Sequence, residues 1–205
     1  MKYEVSDHQV LSSEQVFDGR VVKVFLEDVR LPDGRTVKWE SVRHPGAVGM
    51  VPLQDDGCVL MVKQYRHAVR GVLLEIPAGK LDPGEDPVDC ARRELAEEVG
   101  MKAEATVPLA EFFNSPGYSD ERFFLYLCTG LSAAPGTPEP DEFLEIVEVP
   151  LEDGFAMIAD GRIRDAKSII GLTLARALTR GENGPLGGAG QEKAPQVPDT
   201  GGAFA

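Results

Sequence analysis

Hydrophobic and polar positions along this 205-residue chain change period several times, and those changes mark out its elements. Across residues 17–31 (FDGRVVKVFLEDVRL) and 35–42 (RTVKWESV), apolar residues alternate in part with polar ones. Such alternation predicts half-buried strands, and Pro32-Asp33-Gly34 between them is turn chemistry, so the two segments read as a hairpin. A lone hairpin is marginal in water and needs a surface to cover it. Residues 1–15 are polar and are expected to be only partly ordered. Residues 47–53 and 58–65 predict a second strand pair around Gln54-Asp55-Asp56-Gly57, and 73–77 a strand running into Ala78-Gly79. Further strands are expected over 106–113, 122–129 and 143–149.

Between these strands the period becomes helical. Asp86 can cap a first turn, Pro87 suits the first helical position and Gly100 can stop the helix, which predicts a helix over 87–99. On a helical wheel Val88, Ala91, Leu95 and Val99 form an apolar stripe, and Glu94, Glu97 and Glu98 cluster beside it. A solvated helix face usually interleaves Lys with Glu at i,i+4. Here like charges face each other, at a cost of roughly 0.2–0.5 kcal/mol per pair, with Arg93 the one cation close by. Such a cluster suits a hard divalent cation, which prefers carboxylate oxygen. Two later helices, one starting at 150–160 and one over 164–178, read as scaffold. Residues 131–141 are Pro-rich and aperiodic and predict a mobile loop, and the Gly- and Pro-rich stretch 181–205 predicts a disordered tail. The expected organisation is an N-terminal β region over 1–45, a catalytic domain over 46–180 and that tail.

Composition narrows the function. A net charge of −13 argues against sequence-independent binding to nucleic acid or to an anionic membrane, so neither partner is expected. Any phosphorylated substrate must then be met by local cations and metal. Cys58, Cys90 and Cys128 are widely spaced, which indicates neither a disulfide framework nor a zinc site. The N-terminal residues are polar and no 18-residue apolar run occurs, so a cytoplasmic location is expected.

The stretch from Gly79 to Met101, GKLDPGEDPVDCARRELAEEVGM, carries a family signature. Gly79, five residues, Glu85, seven residues, Arg93-Glu94-Leu95, one residue, Glu97-Glu98, one residue and Gly100 fill every fixed position of the Nudix hydrolase box. With average residue usage a chance match at one start position is on the order of 10⁻⁹. The chain therefore resembles the Nudix hydrolases. The resemblance implies an α/β/α sandwich with mixed sheets, plus an N-terminal antiparallel sheet used in dimerisation. It implies a homodimer, with that sheet exchanged between subunits. It also implies that Glu94, Glu97 and Glu98, with the Ala78 carbonyl, hold Mg²⁺, or Mn²⁺ or another divalent ion. Gly79, Glu85 and Arg93 would be structural, with Glu85 pairing to Arg93 to hold the loop against the helix. The implied reaction is attack of water on a phosphorus of a nucleoside diphosphate derivative, with metal polarising the phosphoryl oxygens.

Flanking segments resemble the ADP-ribose pyrophosphatases within that family. Trp39-Glu40-Ser41-Val42 matches a segment that carries an adenine-contacting tryptophan, although a lone Trp also serves readily as core or interface. Arg43 and His44 are open to phosphate or ribose contact or to plain solvation, and Glu75 to a ligand-side polar contact or a strand-end charge. Arg66 stands where the resembled enzymes aim an arginine at the diphosphate, a task that suits its planar fork. Pro116 and Gly117, in SPGYSDE, match a subfamily marker, and Glu121 is placed for ribose or water contact. Glu142, with Glu145 as second choice, fits the glutamate that acts as general base or positions water. The expected activity is metal-dependent hydrolysis of ADP-ribose to AMP and ribose 5-phosphate. The alternatives are NADH, FAD, a nucleotide sugar or a dinucleoside polyphosphate as substrate, then a non-catalytic ADP-ribose sensor. A hairpin-mediated interaction module is a further class.

Overall fold

The computed structural model describes residues 7–136 and 143–181. Its strands and helices follow in the order β1 (Gln9–Asp18), β2 (Lys23–Arg30), β3 (Thr36–Arg43), β4 (Ala47–Pro52), β5 (Cys58–Arg66), β6 (Gly71–Glu75), β7 (Ala78–Lys80), α1 (Pro87–Val99), β8 (Met101–Phe113), β9 (Arg122–Ala133), β10 (Leu144–Pro150), α2 (Leu151–Ala159) and α3 (Ala166–Thr179). A 3₁₀ turn at His67–Val69 joins β5 to β6.

All six residues of β4 are buried, because something packs on each of its faces. β4 pairs in parallel with β9 and antiparallel with β7, and β8 adds antiparallel to β9, giving a mixed sheet of order β7-β4-β9-β8. Val48 and Met50 join Cys90, Ala91, Leu95 and Val99 of α1 and Tyr126 of β9 in one core. Val51 and Leu125 join Met61, Ile76 and, from α3, Leu172 and Ala175 in the other. Burying each Val or Leu contributes roughly 1.5–3 kcal/mol, so the apolar stripe of α1 anchors that helix to the sheet. A second sheet, β10-β5-β6, is antiparallel, and β1-β2-β3 forms a third. The result is a mixed α/β sandwich with an added N-terminal sheet.

The ends of α1 fall where the sequence places them. The Asp86 carboxylate accepts the Val88 N–H at 2.9 Å, Pro87 opens the helix, and Gly100 closes it at φ +65°. Four expectations are corrected. Residues 17–31 are not one strand: the chain turns after Asp18, where the Gly19 N–H donates to the Val22 carbonyl at 3.0 Å, so Phe17 and Asp18 end β1 and β2 starts at Lys23. Residues 9–15 are ordered as most of β1, since Ser12 and Ser13 bond Asp28 and Glu27 across the strand pair, polar side chains serving a strand exposed along its length. β4 and β5 share the expected turn and one bridge, Leu53 with Val59, and then enter different sheets. Both are apolar runs, and such runs do not specify a pairing partner. β8 and β9 are longer than expected. They pair from Met101 opposite Ala133, so residues 131–133 are strand and not loop.

β3 fastens the N-terminal sheet to the rest of the chain. The Val42 N–H donates to the Tyr118 carbonyl at 2.7 Å and the Asp120 N–H to the Val42 carbonyl at 3.1 Å. Asp120 accepts from the His44 N–H at 2.9 Å and from Arg43 Nη1 at 3.3 Å. Among the described residues no helix is long and apolar enough to cross a membrane. The expected tail lies almost wholly outside the described residues.

Candidate active site

α1 and the loop before it set one side of the site. Glu94 and Glu98 are buried one turn apart, and Glu97 is half-buried beside them. A single guanidinium organises this acidic face. Arg93 Nη1 donates to Glu94 Oε1 at 2.8 Å and to Glu97 Oε2 at 3.0 Å. Its Nε and Nη2 donate to the two oxygens of Glu85, each at 2.9 Å. Glu85 also accepts the Asp82 N–H at 3.0 Å, so the loop is fixed against the helix. Glu98 Oε2 accepts the Ala78 N–H at 2.9 Å, joining α1 to β7. At Gly79 a side chain has no room, because a Cβ there would overlap the Glu94 carboxyl.

The donor chemistry of three neighbouring carboxylates, two of them buried, fits a hard divalent cation. The side chains are nevertheless not gathered as a ligand set: among the described residues no group of three or more acidic, His or Cys side chains is arranged around a common metal point. Arg93 and the Ala78 N–H engage the carboxylates instead.

The Arg93 bonds hold the Glu85 carboxyl at a pKa of about 2, well below its ordinary 4.5; burial opposes them, and the Asp82 N–H adds to the lowering. A depressed folded-state pKa stabilises the fold above the unfolded value and is lost as pH falls through the folded one. Glu85→Gln is therefore expected to cost about 1–2 kcal/mol at pH 7, and less as pH falls from 4.5 towards 2. Urea denaturation of both proteins at pH 7 and pH 3 checks this. An equal gap at the two pH values would contradict it.

Two cavities hold most of the remaining candidates. A cleft of about 450 Å³ is lined by Arg66, Ala78, Gly79, Glu94 and Glu121, together with His44, Glu75 and Lys167. A groove of about 580 Å³ is lined by Trp39, Arg43, Pro116 and Gly117, together with Tyr118 and Asp120. Their linings share no residue but run through consecutive positions, Arg43 and Asp120 lining the groove and His44 and Glu121 the cleft. Trp39 is 47% exposed and one face of it stacks on His8, with ring centroids 5.7 Å apart. His44 Nδ1 accepts the Gly46 N–H at 3.1 Å, which places the proton of a neutral imidazole on Nε2. Arg66 is not an isolated cation. Its Nε and Nη2 pair with buried Glu75 at 2.7–3.2 Å.

The box spacing, carried by a capped helix packed on a mixed sheet, is matched by a family model for the Nudix domain over residues 43–170. The chain belongs to the Nudix hydrolases. A model described as the nucleoside diphosphate sugar hydrolase N-terminal domain matches residues 9–42 of the same hydrolase. Among its relatives is the methanol dehydrogenase activator of Bacillus methanolicus, 43% identical over 81% of this chain and 91% of that one. Another is the ADP-ribose pyrophosphatase of Bacillus subtilis, 40% identical over 79% of this chain and 89% of that one. A solved structure described as an ADP compounds hydrolase shares the fold, with a TM-score of 0.79 at 24% identity over 88% of this Nudix chain and 98% of its own. Enzymes of this family generally use divalent metal ions.

Two residues favoured as the water-positioning base fare differently. Glu142 lies outside the described residues. Glu145 is on β10, exposed and paired to Lys63 at 2.7 Å, and lines neither cavity. Lys167 of the cleft wall, and Asp165 bonded to it, were not singled out by the sequence. Asp165 gives a helix-start signal, but nothing local marks Lys167 as facing the cleft.

Proposed function

We propose that this Nudix hydrolase cleaves ADP-ribose to AMP and ribose 5-phosphate, with Mg²⁺ as its metal. The observation that carries this reading is the lining of the two cavities. One presents an exposed tryptophan beside the Ser115–Asp120 loop, suited to a stacked base, and the other presents Arg66 beside the glutamate box, suited to a diphosphate. The name of the relative at 40% identity supports the same substrate. Glu94, Glu97, Glu98 and the Ala78 carbonyl would hold the metal, which when bound polarises phosphoryl oxygens and lowers the pKa of water. Arg66 would orient the diphosphate, Trp39 stack on adenine, and Arg43, Pro116, Gly117 and Glu121 line the nucleoside and ribose. Glu142 would position the attacking water, a role that rests on the family resemblance alone.

The proposal includes a cytoplasmic homodimer formed through the N-terminal sheet. β1 is exposed over all ten residues and shows Val10, Leu11, Val16 and Phe17 to solvent, which a second copy would cover. The division of the chain near residue 45 is supported by the two family models, which meet at residues 42 and 43.

A hydrolysis panel tests the substrate. With Mg²⁺, kcat/KM for ADP-ribose is expected to exceed that for NADH, FAD, nucleotide sugars and diadenosine polyphosphates by about an order of magnitude, the gain of one well-made polar contact. If another compound leads, the box chemistry stands and the roles given to Trp39 and the Ser115 loop fall.

A further inference from the structure

β6 ends at Glu75, which is only 2% exposed and lies in the wall of the cleft. A carboxylate that deep is costly unless compensated. Burial pushes its pKa up, and bonds from two cations outweigh that, holding it below the ordinary value. The first is Arg66, bidentate through Nε and Nη2. The second is Lys167, in the first turn of α3, whose Nζ donates to Glu75 Oε2 at 2.6 Å.

Lys167 is held from both sides. Its Nζ also donates to Asp165 Oδ2 at 2.9 Å, and that carboxylate caps α3 by accepting the Ser168 N–H at 3.0 Å. Ser168 Oγ in turn accepts the Ile76 N–H at 2.8 Å, next to Glu75. The start of α3 is thus fastened to the end of β6, and the Lys167 side chain is 13% exposed. An ammonium has three donors and these bonds engage two. Lys167 lines the same cleft as Arg66, Gly79 and Glu94. Besides compensating Glu75, a cation in this wall offers an anionic ligand the local positive charge that an acidic protein otherwise lacks.

The geometry points to Lys167 as a second diphosphate-binding cation, with Glu75 the positioning residue that holds Lys167 and Arg66 at one cleft. This rests on the reading that the cleft receives a nucleoside diphosphate. Sharing one carboxylate spaces the two cations within a few ångströms of each other, a separation that suits two neighbouring phosphoryl groups. Arg66 presents a fixed fork and Lys167 a point charge, so the pair accepts oxygens of different orientation.

The probe is imidodiphosphate, the P–N–P isostere of the diphosphate, as a competitive inhibitor in the presence of Mg²⁺ with the best substrate of the panel as reporter. Lys167→Met is expected to raise its inhibition constant, and the KM of the substrate, about tenfold while kcat stays within about threefold. Lys167→Arg, which keeps the charge, is expected to restore inhibition to within about threefold of the unmutated chain. Thermal melting reports on folding of each variant. An unchanged inhibition constant in Lys167→Met, with only a lower Tm, would overturn the inference and leave Lys167 a strut. Failure of imidodiphosphate to inhibit the unmutated chain would overturn it too. Should Lys167→Met not fold, a crystal structure of the unmutated chain with Mg²⁺ and imidodiphosphate decides: Nζ within about 3.2 Å of a phosphoryl oxygen supports the assignment, and a separation beyond about 5 Å overturns it. Imidodiphosphate carries no nucleoside, so this result does not depend on whether ADP-ribose leads the panel.

Discussion

Glu98→Gln is expected to lower kcat by roughly 10³-fold while leaving the fold in place. The charge at this position would neutralise a divalent ion, and metal stabilisation of a phosphoryl transition state is worth several kcal/mol, at a factor of ten for about every 1.4 kcal/mol. The amide keeps the shape of the side chain, and its oxygen can still accept the Ala78 N–H that Glu98 Oε2 accepts at 2.9 Å. Stability is therefore expected to change by no more than about 1 kcal/mol. Steady-state kinetics and urea denaturation on the same preparation separate the two effects. A variant with near wild-type turnover would remove Glu98 from the metal site.

Gly79→Ala is expected to reduce kcat/KM by about a hundredfold or more and to cost about 1–3 kcal/mol in stability. The added methyl group would occupy the space of the Glu94 carboxyl. Backbone movement offers little relief, because Gly79 sits in β7 opposite Val48 of fully buried β4. Glu94 would have to leave its place, and its bond to Arg93 Nη1 would go with it. The disturbance then reaches Glu97, held by the same nitrogen. This connects a glycine in the sequence motif to a packing fact: the residue is small so that a carboxylate can lie against the strand. Wild-type kinetics in Gly79→Ala would show that Glu94 is free to work from another position.

What the sequence disclosed follows from how local each signal is. Helix α1 was legible end to end, because its cap, opening proline and closing glycine act within a few residues, and its apolar stripe names its own buried face. The acidic face was legible for the same reason, and part of each cavity wall was legible through the box and the flanking segments that resemble the subfamily. Long-range partnerships were not. β4 and β5 look like a hairpin from their turn, yet β4 goes on to pair with a strand 76 residues later. β1 is polar enough to pass for a loose terminus and becomes a strand through cross-strand bonds to β2. Lys167 reads as one more charge on a scaffold helix, and only the fold brings it 92 residues back along the chain to Glu75. Glu75 itself stood between a polar contact and a strand-end charge. The structure shows it buried at the end of β6 and paired with Arg66 and Lys167.

The most direct test of the central claim is to incubate the purified full chain with ADP-ribose and Mg²⁺ and follow the phosphorus resonances by ³¹P NMR. Hydrolysis at the diphosphate replaces the two diphosphate signals by two phosphomonoester signals, those of AMP and ribose 5-phosphate, and a chelator added at the start should prevent the change. Diphosphate signals that persist with metal present, or products that retain the diphosphate, would contradict the account.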